Sequence, residues 1–244
     1  MYFRSFEGVF SAVESGLCQF GILPIENSSY GSVTRVYDLM REHNFHIVKS
    51  IKLRVSHALL AKKGVKLSDI REVCSHEQAI GQCGGFLRMH PEIKVTMFEN
   101  TAAAAKYAAE SERNDIAAIC SADCAELYGM SVISHGIQDT DNNYTRFICI
   151  AKDLTIYSGA DRISLMLSVP HRPGALYSLM SKFSALGLNM TKLESRPIPG
   201  SDFEFMFYFD FEASLINGDV VKLLGELSES SEVFVFLGSY SEKI

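Results

Sequence analysis

What this chain lacks narrows its class before any motif is read. It has no run of lysines and arginines, no CxxC pair, no apolar stretch long enough to cross a bilayer, no low-complexity segment and no short-period repeat. The missing basic run argues against a nucleic-acid surface. The missing apolar run argues against a membrane-spanning helix. Six cysteines stand at positions 18, 74, 83, 120, 124 and 149. Cys120 and Cys124 are close in sequence, but no second pair or nearby histidine completes a zinc set. These are read as reduced, buried thiols in a cytosolic protein, without metal or disulfide. No secretory leader opens the chain, so a cytoplasmic location is expected.

What is present is enough apolar sequence for two domains. The chain has 244 residues, of which 47% are hydrophobic and 21% charged. Such a composition builds sizeable cores and does not stay disordered. The net charge of −6 is mild. It leaves a small anionic substrate open, because local charge in a cleft decides that.

Periodicity places the elements. Phe6, Val9, Phe10 and Val13 recur at helical spacing, and Gly16 marks a stop. Phe20 to Leu23 reads as a short buried strand closed by Pro24. Glu26-Asn27-Ser28-Ser29 reads as a polar turn. A second helix carries Val33, Val36, Tyr37 and Met40, and residues 45–61 read as extended. From Ser68 onward, strands at Val73-Cys74, 95–98, 116–119, 132–133 and 147–150 alternate with helices. One of these buries Ala79, Cys83, Phe86 and Leu87, and another is rich in alanine. Such alternation predicts a mainly parallel sheet with helices on both faces and a ligand site beyond the strand ends. Ser28, Ser75 and Thr101 stand at expected strand-to-helix junctions. There, free N–H groups and a positive helix end suit carboxylates or phosphates, although ordinary capping explains any one of them.

The last segment reads β-α-β-β-α-β. Ile163 to Val169 alternate as a strand, Pro173-Gly174-Ala175 opens a helix, and Leu188 to Ile198 form a second strand. Phe203, Phe205, Phe207, Phe209 and Phe211 put one aromatic face on a third. Val220, Leu223, Leu224 and Leu227 form a second helix, and Val233 to Leu237 a fourth strand. This is the ferredoxin-like order. Residues 152–160 are the expected linker.

Several strings then resemble a known family. Pro24-Ile25-Glu26-Asn27-Ser28 with Gly31, Ser75-His76-Glu77-Gln78-Ala79 with Gln82-Cys83, and Thr101 to Ala105 look like signatures of prephenate dehydratase. Asn143-Tyr144-Thr145-Arg146-Phe147 is the most diagnostic. Gly174-Ala175-Leu176 and Glu194-Ser195-Arg196-Pro197 resemble the phenylalanine-sensing ACT domain that follows that catalytic domain. The resemblance covers nearly the whole chain, and the order and spacing of the strings carry it.

It implies a two-lobed, periplasmic-binding-protein-like α/β domain followed by a ferredoxin-like α+β ACT domain. Residues 1–154 would form the catalytic domain. Lobe one would take 1–56 and 136–154, lobe two 57–135, and the ACT domain 161–244. Family members begin with a strand and glycine-containing loop ahead of the helix at Phe6. This chain is read as lacking both, which sets a non-catalytic ligand sensor or inactive fragment beside the enzyme as an alternative. Whether a chorismate mutase domain precedes Met1 stays open.

The implied reaction removes water and carbon dioxide from prephenate, or from its amino analogue arogenate, with no cofactor or metal. By resemblance, Thr145 donates a hydrogen bond to the leaving hydroxyl. Arg146 holds a carboxylate or fixes its loop, and Glu26 transfers a proton or orients neighbouring donors. Asn27, Ser28, Ser75, His76, Gln78, Thr101, Asn143 and Phe147 are expected around the substrate. Gly174, Ala175, Leu176, Asn189, Glu194, Ser195 and Arg196 are expected around L-phenylalanine. The expected partners are these two small molecules and a second copy of the chain. Pairing would run through the ACT domain, to a dimer or a tetramer, with neither nucleic acid nor membrane.

Overall fold

The computed structural model describes residues 1–198 and 204–243. The chain divides into two compact units. One joins Met1–Leu53 to Thr145–Ile244, and the other is Arg54–Tyr144.

In the first unit, helix α1 (Phe6–Glu14) starts where Ser5 accepts a hydrogen bond from the Gly8 N–H. Strand β1 (Gly21–Asn27) turns back through the two-residue β2 (Gly31–Ser32). Helix α2 (Thr34–Glu42) and strand β3 (His46–Arg54) follow. β1 is not the wholly buried strand expected. Gly21, Leu23 and Ile25 point inward, while Phe20 and Ile22 lie 41% and 67% exposed. Its period-2 alternation dominates over its apolar composition.

The second unit holds β4 (Ala58–Ala61), β5 (Glu72–His76), α3 (Glu77–Gln82), α4 (Gly84–Met89), β6 (Lys94–Phe98), α5 (Thr101–Glu110), β7 (Ile116–Cys120), α6 (Cys124–Tyr128) and β8 (Ser131–His135). Its sheet runs β6-β5-β7-β4-β8. Only β6-β5-β7 are parallel, and β4 pairs antiparallel with both β7 and β8. The sheet is therefore mixed, not mainly parallel. β4 enters directly from the extended stretch after β3, with no helical crossover to force a parallel pairing. Residues 45–61, read as one extended stretch, contribute to two different sheets.

The chain returns through β9 (Tyr144–Ala151), which pairs antiparallel with β1. The first unit's sheet is ordered β14-β3-β9-β1-β2, with β14 (Glu242–Lys243) joining from the C-terminus. The last segment forms β10 (Arg162–Ser168), α7 (Ala175–Ala185), β11 (Asn189–Pro197), β12 (Phe205–Glu212), α8 (Gly218–Ser230) and β13 (Phe234–Tyr240). Its four-stranded sheet runs β11-β12-β10-β13, antiparallel throughout. Phe203 lies outside the described residues.

This last sheet is buried on both faces. One side packs Ile163, Leu165, Leu167, Phe209 and Phe211 against Leu179, Phe183, Val220, Leu223 and Leu227 of its own helices. The other side places Met166, Met206, Tyr208 and Tyr240 in one core with Phe10, Leu23, Val36, Met40 and Ile148. The Tyr208 ring meets Tyr37 edge-on at 4.9 Å, and its hydroxyl donates to the Tyr37 carbonyl at 2.7 Å. A Cβ at Gly238 would overlap the Ile47 carbonyl oxygen, so the close approach of β13 to β3 requires glycine.

Candidate active site

The β1–β9 ladder brings together residues more than a hundred positions apart. Asn27 lies opposite Thr145, and Glu26 lies opposite Arg146. Strand side chains alternate, so Asn27 and Thr145 occupy one face of the sheet, and Glu26 and Arg146 the other.

On the first face, the Asn27 Nδ2 donates to the Thr145 hydroxyl at 3.0 Å. The amide orientation is fixed because Asn27 Oδ1 accepts from the Ser29 and Tyr30 N–H groups at 2.9 and 3.0 Å. Since Nδ2 is only a donor, Thr145 accepts in this bond and keeps its own proton for a further acceptor. Phe147 shares this face and is half-buried.

On the second face, Arg146 is 8% exposed. Its guanidinium meets Asp210 Oδ2 at 2.5 Å, the Tyr240 hydroxyl at 2.8 Å, Glu242 Oε2 at 3.2 Å and Ser50 Oγ at 3.3 Å. Burial works against the charge, but Asp210, Tyr240 and Glu242 outweigh it and hold Arg146 above its usual range. Glu242 is likewise opposed by burial, yet Lys52 and Arg146 keep its carboxyl below the usual range. Ser164 Oγ donates to Asp210 at 2.5 Å and lies 2.6 Å from the Tyr240 hydroxyl. Glu26 Oε1 accepts from Lys192 at 2.8 Å, and Lys192 also donates to Ser32 at 2.7 Å. Ser32 in turn donates to Glu194 at 2.7 Å. Arg196 forks onto both oxygens of Asp38, at 3.1 and 2.9 Å. Ser32, Asp38, Ser50, Ser164, Lys192, Asp210, Tyr240 and Glu242 were not singled out from sequence. The available signal was the polar alternation of Ser164 and Asp210 inside otherwise apolar strands.

The remaining expected residues scatter. Ser28 is exposed in the β1–β2 turn, not at a helix start, because β1 continues to Asn27. In the second unit, Ser75 is fully buried and spends its hydroxyl on the Ile119 carbonyl at 2.6 Å, which removes it as an anion donor. His76 caps α3, its Nδ1 accepting from the Gln78 N–H at 3.3 Å. Thr101 opens α5, whose cap is Asn100, accepting from Ala103 at 2.7 Å. Asn143 is buried, and its carbonyl accepts from the Val55 N–H.

The last sheet carries a cavity of about 410 Å³ beside the start of α7, lined by Pro170, His171, Arg172, Ala175, Leu176, Phe205 and Phe207. Gly174 precedes that helix with φ +80°. Ser195 pairs with Phe207 on the cavity side of the sheet, whereas Glu194 and Arg196 face the other way. Asn189 sits at the far end of β11, donating to Glu212 at 3.0 Å. Among the described residues no cluster of three or more metal-ligating side chains occurs, and no helix is long and apolar enough to cross a membrane.

Two mixed α/β sheets, a polar Asn–Thr pair on a strand ladder and an appended antiparallel βαββαβ sheet with its own cavity define the class of fold. The family model for prephenate dehydratase matches residues 1–155, and the chain belongs to that family. It is 38% identical to the chloroplastic arogenate dehydratase/prephenate dehydratase 2 of Arabidopsis thaliana, over 97% of this chain and 65% of the relative. The chain thus spans just under two thirds of that relative's length. It superposes on a prephenate dehydratase from Arthrobacter aurescens in complex with L-Phe, with TM-score 0.87, 29% identity, and 99% and 80% of the two chains covered. It also superposes on GqqA, described as a novel type of quorum-quenching acylase, with TM-score 0.88, 30% identity, and 99% and 89% covered.

Proposed function

We propose that this chain catalyses the decarboxylating dehydration of prephenate to phenylpyruvate, or of arogenate to phenylalanine, and is inhibited by L-phenylalanine. The Asn27–Thr145 pair carries the reading, supported by the family assignment and by a relative named for both substrates.

In this reaction the ring carboxylate leaves as carbon dioxide. Its electron pair enters the ring and restores aromaticity, and the ring hydroxyl departs as water after gaining one proton. Hydroxide is a poor leaving group, so the enzyme must put a donor on that oxygen. Thr145 is the donor. Its hydroxyl is oriented by Asn27, with its proton left over for the leaving oxygen. A threonine is too weak an acid to surrender that proton fully, so it works by hydrogen bonding as charge develops, and the proton that turns the departing hydroxide into water comes from the solvent. Glu26, tied to Lys192, orients the β1 end that carries Asn27 and does not shuttle a proton.

The 410 Å³ cavity fits the effector. Phe205, Phe207 and Leu176 offer an apolar floor for a phenyl ring, and Arg172 at the mouth suits a carboxylate. β11, an edge strand of the last sheet, is the proposed dimer edge. The test is a stopped assay for phenylpyruvate and phenylalanine from the two substrates, with and without added L-phenylalanine. Absence of both products removes the enzyme reading, and unaltered turnover in added phenylalanine removes the regulatory one.

A further inference from the structure

Resting on that reading, the geometry points to Arg146 as a positioning residue that transmits effector binding to Thr145 through a buried ionic seam. It does not hold a substrate carboxylate.

Two arrangements carry the inference. First, the guanidinium lies on the opposite face of β9 from Thr145, and each of its three nitrogens already has a partner among Asp210, Tyr240, Glu242 and Ser50. An arginine so surrounded has no fork left for a substrate. Second, the strands on the far side of the seam also alternate. Phe205 and Phe207 line the cavity, while Tyr208 and Asp210, from the same strand, face Tyr37 and Arg146. On β11, Ser195 faces the cavity side, and Glu194 and Arg196 reach Ser32 and Asp38.

The connection therefore crosses two strands by side-chain alternation alone. It runs from the cavity through β12 to Asp210, across the ion pair to Arg146, and through β9 to Thr145. A ligand that shifts β12 by a fraction of an ångström must either drag Arg146 along or break the buried Arg146–Asp210 pair. Breaking a desolvated pair is costly, so the seam behaves as a stiff link with few acceptable arrangements. Moving Arg146 displaces its chain neighbour Thr145, and a displacement of about 1 Å at a catalytic group costs up to roughly 10²-fold in rate.

Arg146→Lys keeps the charge and loses the fork, and Asp210→Asn keeps the shape and loses the charge. Each full-length variant is compared with wild type in two measurements. The first is kcat and KM. The Arg146→Lys variant should lose roughly 10–10²-fold in kcat with KM nearly unchanged, whereas a carboxylate ligand would show its loss in KM. The second is calorimetry of L-phenylalanine with and without a substrate analogue, which needs no turnover. Wild type should show coupling of roughly 5–150-fold, and the variants should bind phenylalanine with the ratio reduced to near one. A merely structural seam would lower the melting temperature and leave that ratio intact in the folded protein. Wild-type coupling in folded Arg146→Lys and Asp210→Asn proteins, or a wild type with no coupling, overturns the proposal. If Arg146→Lys does not fold, Asp210→Asn decides by the same ratio. A wild type that couples the two ligands without turning substrate over refutes the activity and leaves the seam standing.

Discussion

Replacing Arg146 with methionine removes the cation that faces Asp210 and Glu242, with Glu26 3.8 Å away, and keeps most of the side-chain volume. The side chains of Asp210 and Glu242 are 12% and 7% exposed, so water cannot take the place of the guanidinium. Removing one member of a buried pair costs about 3–5 kcal/mol, because the partner's charge stays buried without compensation. Lys52 still reaches Glu242 at 2.8 Å and Ser164 still donates to Asp210, which places the cost at the lower end of that range. For a unit of this size, about 3 kcal/mol corresponds to a fall of roughly 6–12 °C in melting temperature. The pH dependence gives a second reading. In the wild type, Glu242 is held below its unfolded value, so its contribution is present above about pH 4.5 and lost as pH falls through the folded value. In the variant, burial at Glu242 is no longer opposed by Arg146, which raises that carboxyl relative to the wild type, and its protonation then costs the fold less. The gap between the two proteins should narrow from pH 7 toward pH 4.5. The assay is thermal unfolding followed by tyrosine emission at several pH values, the chain having no tryptophan. A loss below about 1 kcal/mol, the scale of an exposed pair, or a gap that widens on acidification would refute the reasoning.

Other outcomes follow from single contacts. Thr145→Ala should lower kcat by roughly 10²-fold or more with little change in KM, read by steady-state kinetics, because the lost donor acts on the departing oxygen. Gly238→Ala should destabilise the chain strongly in denaturant titration, since its Cβ would meet the Ile47 carbonyl and force β13 away from β3. Gly174→Val places a β-branched residue at φ +80° and should weaken phenylalanine binding measured by calorimetry, while basal kcat stays near wild type. Burial holds His57 below its usual range, against a 2.7 Å bond to Gln82 that works the other way. The unfolded chain therefore takes up a proton first as pH drops below about 6.5, so the second unit should lose stability there, and His57→Asn should flatten that slope in pH-dependent unfolding.

The elements were legible where a residue's neighbours decide its state. The α1 face, the alanine-rich α5 and the βαββαβ order of the last segment follow from spacing and caps. Long-range pairing was not legible. Nothing local in Glu26-Asn27-Ser28 says that β1 continues to Asn27 and meets Thr145 on a strand 118 residues away. Nor does an alternating α/β pattern reveal that β4 lies antiparallel to both its neighbours. The division of Thr145 from Arg146 was within reach. A strand that starts at Tyr144, and not at Phe147, sends the two to opposite faces by its period alone. The seam was harder to see, since Ser164, Lys192 and Asp210 look like solvent-facing positions until a second sheet covers them.

The central claim is that Thr145, oriented by Asn27, does chemistry in this chain. Its most direct test is product formation from prephenate and from arogenate by the wild type and Thr145→Ala, measured side by side at saturating substrate. The account predicts turnover of at least one substrate by the wild type and a fall of roughly 10²-fold or more in the variant. Equal rates for the two proteins, or no product from either substrate with the wild type, would contradict it.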